Sequence, residues 1–223
     1  MRSCRAHTTY RTESGRIVPG VTTILGIINK PQLIKWANNL GLRGIDSTKY
    51  VDETARVGTL AHAMIQEYLG GFLGGKTTWN RGDYTPNEID LAENALIKFL
   101  EWEKRSAVEP VKVELPLVSE LRLYGGTIDF YGRVDGRYYL IDFKTSAKLY
   151  VEHSLQVAAY WNLLREHGYK IDGVKLLRIG RDNSEGFEDK EIGFKEVEDC
   201  FFTFSLAREL YEALRILKTN GGS

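Results

Sequence analysis

The stretch from Gly125 to Tyr160, GGTIDFYGRVDGRYYLIDFKTSAKLYVEHSLQVAAY, decides how the rest of the chain is read. Its first half has the two-residue period of β-strands, broken at Val134-Asp135-Gly136-Arg137 by a hairpin signal. In the strand before the turn, residues 123 to 131, Thr127, Asp129 and Tyr131 are expected on one face and Ile128 and Phe130 on the other. In the strand after it, YYLIDFK, Leu140, Asp142 and Lys144 share one face and Ile141 and Phe143 the other. Thr145-Ser146 ends that strand, and residues 151 to 165 form a helix with Leu155, Ala158, Ala159 and Leu163 towards the sheet. Gln156 and Tyr160, four residues apart, lie side by side on that helix and can reach one ligand. Antiparallel pairing brings Asp129 and Asp142 together, so two carboxylates and the Lys144 ammonium converge at one end of a sheet. Carboxylates this close stay ionised only with a cation or the lysine between them. On these three residues alone, a functional cluster and a salt-bridged pair on a solvated sheet face are equally good readings.

Working outward, VKVELPL at residues 111 to 117 alternates apolar and polar positions and reads as a strand with Glu114 on its polar face. After the central helix, residues 174 to 180 read as a strand reached by a helical crossover, hence parallel to YYLIDFK. Residues 182 to 190 read as a polar turn and EIGF as a short last strand. A closing helix at residues 197 to 217 is expected to face Phe201, Phe204, Leu206, Leu210, Leu214 and Leu217 inward. The tail TNGGS is expected to be disordered.

Upstream, residues 8 to 28 suggest a short hairpin turning at Ser14-Gly15, then a helix capped by Thr22 or Thr23. Pro31 suits the first position of a helix, PQLIKWANNLGL, whose Leu33, Trp36, Ala37 and Leu40 fall on one face, with Trp36 read as packing. Residues 52 to 69 read as a helix capped by Asp52 and closed by Gly70-Gly71. Along it Gly58, His62 and Gln66 form a stripe beside Leu60, Met64 and Tyr68. Residues 70 to 86 have loop composition and could form a flap, and residues 87 to 105 an amphipathic scaffold helix.

Composition bounds the function. The chain has 223 residues, 43% hydrophobic and 27% charged, which suits one globular unit with a core. Thirty basic and thirty acidic residues give a formal charge of zero, where a sequence-independent nucleic-acid binder is usually basic. The first fifty residues carry eight Lys or Arg against two acids, however, so a basic segment could wall a phosphate groove. Cys4 and Cys200 are too few and too distant for a disulfide framework or thiolate cluster, and a reducing cytoplasmic setting is expected. No apolar run is long enough to span a membrane, so no membrane partner is expected.

The ordered pieces Gly58 to His62, Gly126 to Asp129, Asp142-Phe143-Lys144 and Gln156 to Tyr160 resemble the PD-(D/E)XK nuclease superfamily. More narrowly they look like its RecB-type branch, and VPGVTTILG followed by PQLIKWA is similar to stand-alone phage or prophage exonucleases. The resemblance implies an α/β fold with a restriction-endonuclease-like αβββαβ core: a mixed sheet flanked by helices, plus an N-terminal helical segment and a C-terminal helix. It also implies one nuclease domain over residues 1–223, with a basic segment at 1–50, a catalytic core at 52–181 and a terminal strand and helix at 182–218. By the family pattern His62, Asp129, Asp142 and the carbonyl of Phe143 would bind Mg²⁺ or Mn²⁺. Asp129, Asp142 and Lys144 would be catalytic, Gln156 and Tyr160 would hold DNA, and Glu114 could join the acidic cluster. The expected partner is DNA, as single strands or ends. Some members carry four cysteines around an iron-sulfur cluster, and two distant cysteines imply a member without one.

Overall fold

The computed structural model describes residues 8–28, 30–73, 79–182 and 184–220. Cys4 and part of the 70-to-86 stretch, residues 74–78, lie outside the described residues, as do the last three residues of the TNGGS tail.

The two-residue period is realised in a five-stranded mixed sheet whose strands lie side by side in chain order. Its strands are β3 (Val108–Ser119), β4 (Tyr124–Val134), β5 (Arg137–Lys144), β6 (Gly173–Ile179) and β7 (Phe187–Ile192). Neighbours pair antiparallel except β5 and β6, which run parallel because helix α5 (Val151–Glu166) crosses between them. The β4–β5 hairpin turns through Asp135 and Gly136, both at positive φ, the requirement of a two-residue turn that matches strand twist. β7 already begins at Phe187, inside the segment expected to be a polar turn, because Phe187 to Ile192 pair along the whole of β6.

Each sheet face is covered by helices. On one face α5, the short α1 (Val21–Leu25) and the terminal α6 (Phe194–Asn220) pack on Ile128, Leu140, Val174 and Leu176. On the other, α3 (Ser47–Gly71) and α4 (Pro86–Glu103) pack on Phe130, Ile141, Phe143, Leu177 and Ile179. The start of α3 is earlier than expected. Asp46, in extended conformation, accepts from the amides of Thr48 and Lys49 at 2.8 and 3.1 Å, so it and not Asp52 caps the helix. Gly20, without a side-chain bond, precedes α1, so neither Thr22 nor Thr23 caps it. Before α3, α2 (Pro31–Leu42) buries only Leu40, and Trp36 packs edge-on to Tyr50 with its ring partly in solvent.

The closing helix turns Phe201 and Phe204 inward as expected, but not its four expected leucines. Val197, Phe204 and the partly buried Phe201, Cys200, Ala207 and Tyr211 meet the core, whereas Leu206, Leu210, Leu214 and Leu217 are exposed. The sequence of α6 carries two opposed apolar stripes, and periodicity alone cannot say which one meets the sheet. The side chain of Arg208 decides it, since its guanidinium donates to the Leu123 carbonyl at 3.1 Å and turns the Phe204 side towards the β3–β4 connection.

The N-terminal hairpin of β1 (Tyr10–Arg11) and β2 (Ile17–Val18) is tied to the opening of β4. The Gly125 amide donates to the Pro19 carbonyl at 3.0 Å, and the Tyr10 ring lies over Gly125, where no Cβ would fit. On the opposite side a Cβ at Gly126 would come within 2.5 Å of the buried Tyr160 ring. Gly126→Ala therefore overpacks a closed site and should lower unfolding free energy by about 1–3 kcal/mol in urea titration.

Candidate active site

The site begins where the β4–β5 ladder stops. Pairing runs from the turn as far as Phe130 opposite Ile141 and then ends, leaving the next two residues, Asp129 and Asp142, outside the ladder. Asp129 replaces the missing rung with its side chain: its carboxylate accepts the Phe143 amide at 2.9 Å. The strand also changes face here. Strict alternation puts Ile128 and Phe130 together, yet Ile128 joins the α5 side with Tyr131, and Phe130 joins the α3–α4 side. The expected partition of Thr127, Asp129 and Tyr131 against Ile128 and Phe130 is thus overturned. Across from Asp129, Glu114 has φ of +52° and takes no part in the ladder between Val113–Phe130 and Leu115–Ile128. Local irregularities of this kind re-aim a side chain and end pairing.

On β5 the alternation holds. Ile141 and Phe143 enter the α3–α4 core, and Leu140 belongs to the opposite side. Asp142 is fully buried, with its Oδ2 at 2.5 Å from the Lys144 Nζ. Its Oδ1 receives no hydrogen bond among the described residues. Burial raises the Asp142 pKa to about 6, against the pull of Lys144 and with a push from the Asp129 charge.

Helix α3 forms one wall. His62 is nearly buried, with Nδ1 at 3.8 Å from Asp129 Oδ2 and its ring edge-on to Phe143 at 6.2 Å between centroids. One turn earlier, Gly58 abuts the end of β5: a Cβ there would lie 2.7 Å from Thr145 Oγ1. One turn later, Gln66 donates to Glu114, which stands exposed on the rim. The stripe Gly58, His62, Gln66 therefore lies along the parted strands, as its spacing predicts.

Helix α5 forms the other wall. The Gln156 amide donates to the Tyr160 hydroxyl at 2.8 Å. Tyr160 is only 5% exposed, and burial together with the charges of Asp142 and Asp129 holds its pKa far above the usual tyrosine range. It is a neutral hydroxyl behind Gln156. Two neighbours escaped the sequence reading. Tyr10 reaches Thr127 Oγ1 at 2.9 Å from the N-terminal hairpin, a contact no local pattern encodes. His153 has its Nδ1 at 3.2 Å from the Tyr150 amide, and its spacing of three from Gln156 was the available signal.

The side chains around the end of the β4–β5 ladder are of the types that ligate cations. A buried carboxylate oxygen without a donor, a second carboxylate and an imidazole on opposite sides of a strand gap form the nitrogen-and-oxygen donor set that divalent ions take. Among the described residues, no three His, Cys, Asp or Glu side chains are already gathered around one point. Asp129 is turned to the Phe143 amide and Asp142 to Lys144. The cavity of about 440 Å³ between α6 and the β3–β4 connection is lined by Leu121, Phe204, Arg208 and Ile216 and includes none of these groups.

A family model described as the PD-(D/E)XK nuclease superfamily matches residues 35–215. Two solved structures are similar in part. One is a protein from Eubacterium rectale provisionally described as an exonuclease, with 11% identity, a TM-score of 0.49, and coverage of 74% of this chain and 68% of that chain. The other is SSO0001, with 15% identity, a TM-score of 0.32, and coverage of 68% and 74% respectively. No curated protein matches the sequence. No helix among the described residues is long and apolar enough to cross a membrane.

The Asp142 shift has a measurable consequence. A carboxyl whose pKa is raised on folding adds stability below its ordinary value of 3.8, and that contribution is lost as pH rises to about 6. At neutral pH and with divalent cations chelated, Asp142→Asn should therefore raise the unfolding free energy by about 1–2 kcal/mol in urea titration. At pH 4 the gain should disappear.

Proposed function

Because this chain belongs to the PD-(D/E)XK nuclease superfamily, we propose that it is a metal-dependent deoxyribonuclease. We infer an exonuclease acting on DNA ends or single-stranded DNA, in phage or bacterial recombination or repair. The observation that carries this reading is the pair of carboxylates at a parted strand end, one of them fully buried against Lys144 with an oxygen left open. A structural ion pair would gain nothing from such burial.

In this reading His62, Asp129, Asp142 and the Phe143 carbonyl hold Mg²⁺ or Mn²⁺, and an imidazole among carboxylates suits Mn²⁺ better. The bound ion supplies a polarised phosphate and a water acidic enough to attack near neutral pH. Lys144, beside Asp142, as an ammonium positions the attacking water or neutralises the charge that develops on the phosphate, or else in its neutral form takes the water's proton. Asp129 keeps its carboxylate fixed through the Phe143 amide and so holds the strand end open. Gln156 contacts the nucleic acid, and Tyr160, buried behind it, orients the Gln156 amide. Glu114, held by Gln66 opposite Asp129, adds an acidic group at the rim.

One observation favours a second reading, a DNA-binding module without catalysis: no three-ligand cluster is preassembled among the described residues. The two separate in one assay. An end-labelled oligonucleotide is expected to be degraded with Mn²⁺ or Mg²⁺ and to survive with chelator. Asp142→Ala and, separately, Lys144→Ala should each lower the rate by at least about 100-fold while the far-ultraviolet dichroism stays that of the parent. Unchanged cleavage by purified Asp142→Ala removes the assigned site, and binding without any cleavage by the parent supports the silent module.

A further inference from the structure

The polar row on α5 does not start at Gln156. His153, Gln156 and Tyr160 follow one another at spacings of three and four, along the side of the helix that meets Lys144, Asp142 and Asp129. His153 is held in place from two directions. Its Nδ1 faces the Tyr150 amide at 3.2 Å, and its ring stands edge-on to the Tyr150 ring at 5.4 Å between centroids. An amide N–H can only donate, so Nδ1 must offer its lone pair. The single ring proton therefore sits on Nε2 and the imidazole is neutral. Burial, and after it the Lys144 ammonium, push the pKa of His153 down to about 4, which agrees with that tautomer.

Nε2–H is consequently an uncharged donor on the side of the ring away from the cap. Capping α5 does not by itself call for an imidazole. Glutamate or glutamine at this third helical position accepts the same amide, and either would complete the cap. An imidazole differs by keeping a rigid N–H on the far side of the ring from the cap. Its surroundings are otherwise charged: Lys144 lies close by, and Lys30 pairs with Glu152 at 3.1 Å on the same turn. A neutral donor among them can grip an anion without competing with Lys144 for Asp142.

We propose that His153 is a nucleic-acid contact whose Nε2–H donates to a phosphate oxygen of the bound strand, on the Lys144 side of the phosphate that is cut. This deepens the nuclease reading and rests on it. The test measures binding of a short labelled single-stranded oligonucleotide by anisotropy, over a range of salt, in the uncleaving Asp142→Asn protein. His153→Gln keeps both the cap acceptor and an N–H donor, and is expected to bind within about threefold of its parent. His153→Leu is expected to bind about tenfold more weakly with an unchanged slope of log Kd on log salt, because no charge is lost. His153→Glu keeps the cap and lacks the donor, so it should bind at least as weakly as the leucine variant, and it carries the test if the leucine variant does not fold. In the otherwise unaltered protein the same changes should raise KM more than they lower kcat. Parental affinity in both the leucine and glutamate variants overturns the proposal, as does an equal loss in the glutamine variant that tracks a lowered melting temperature. If the parent neither binds the oligonucleotide nor, with Asp142 intact, cleaves it with Mn²⁺, the nuclease reading fails. Binding and cleavage by a parent indifferent to His153 removes this inference alone.

Discussion

One hydrogen bond sets the geometry of the candidate site: the Phe143 amide given to the carboxylate of Asp129 rather than to a backbone carbonyl. Had the ladder continued, Asp129 and Asp142 would face each other as an ordinary cross-strand pair, with their side chains on a common face and their backbones closed together. Substituting a carboxylate for a carbonyl keeps the amide satisfied, as a buried backbone donor requires. It also takes the place of a backbone rung beyond Phe130 and Ile141, where the β4–β5 ladder ends. The gap, the exclusion of Glu114 from its rung and the change of face between Ile128 and Phe130 all occur at this level of the sheet.

Two helices then have to approach that gap closely, and glycine makes room for each. Gly58 lets α3 sit against Thr145 at the end of β5, and Gly126 lets the Tyr160 ring of α5 lie on β4. A glycine in the middle of α3 weakens the helix by about 1 kcal/mol relative to alanine. The long helix on either side, closed into the core by Leu60, Ala61, Met64 and Ile65, supports that weakness. What the closeness achieves is electrostatic: Asp142 is buried with Lys144 beside it and Tyr160 behind it, where each interaction is stronger than in water.

The sequence made these features legible to different degrees, for physical reasons. The spacing of Gly58, His62 and Gln66, of Asp142 and Lys144, and of Gln156 and Tyr160 each lies within one regular element, where period alone tells which side chains are neighbours. Those groupings survive in the fold. Asp129 lies where β4 leaves regularity, so alternation misplaced Ile128 relative to Phe130, and Asp129 reaches the strand of Asp142 through the Phe143 amide instead of across a rung of the ladder. In α6 both faces are apolar, and the contact of Arg208 with the Leu123 carbonyl, eighty-five residues away, selects between them. Tyr10 beside Thr127 is equally nonlocal. Asp46 took the cap from Asp52 because a cap is set by backbone conformation before the first turn, which the presence of a capping residue type at both 46 and 52 leaves undecided.

The same geometry offers a chain of zero formal charge a way to bind the polyanionic substrate proposed for it. On the α3 side stand an imidazole beside Asp129 and a glutamate held by Gln66, groups that draw a cation. On the α5 side stand a histidine kept neutral, an amide and a neutral tyrosine, groups that donate or orient without charge. Between them Lys144 is the cation nearest the carboxylates. Affinity for phosphate in such a site comes from a bound metal and from uncharged donors at close range, and less from a broad basic surface. A divalent ion brings its own positive charge to the acidic wall, and that charge is absent from any count of lysines and arginines. A neutral donor wall opposite has a further merit: it does not form ion pairs with Asp129 and Asp142, and so leaves the carboxylates available to the ion.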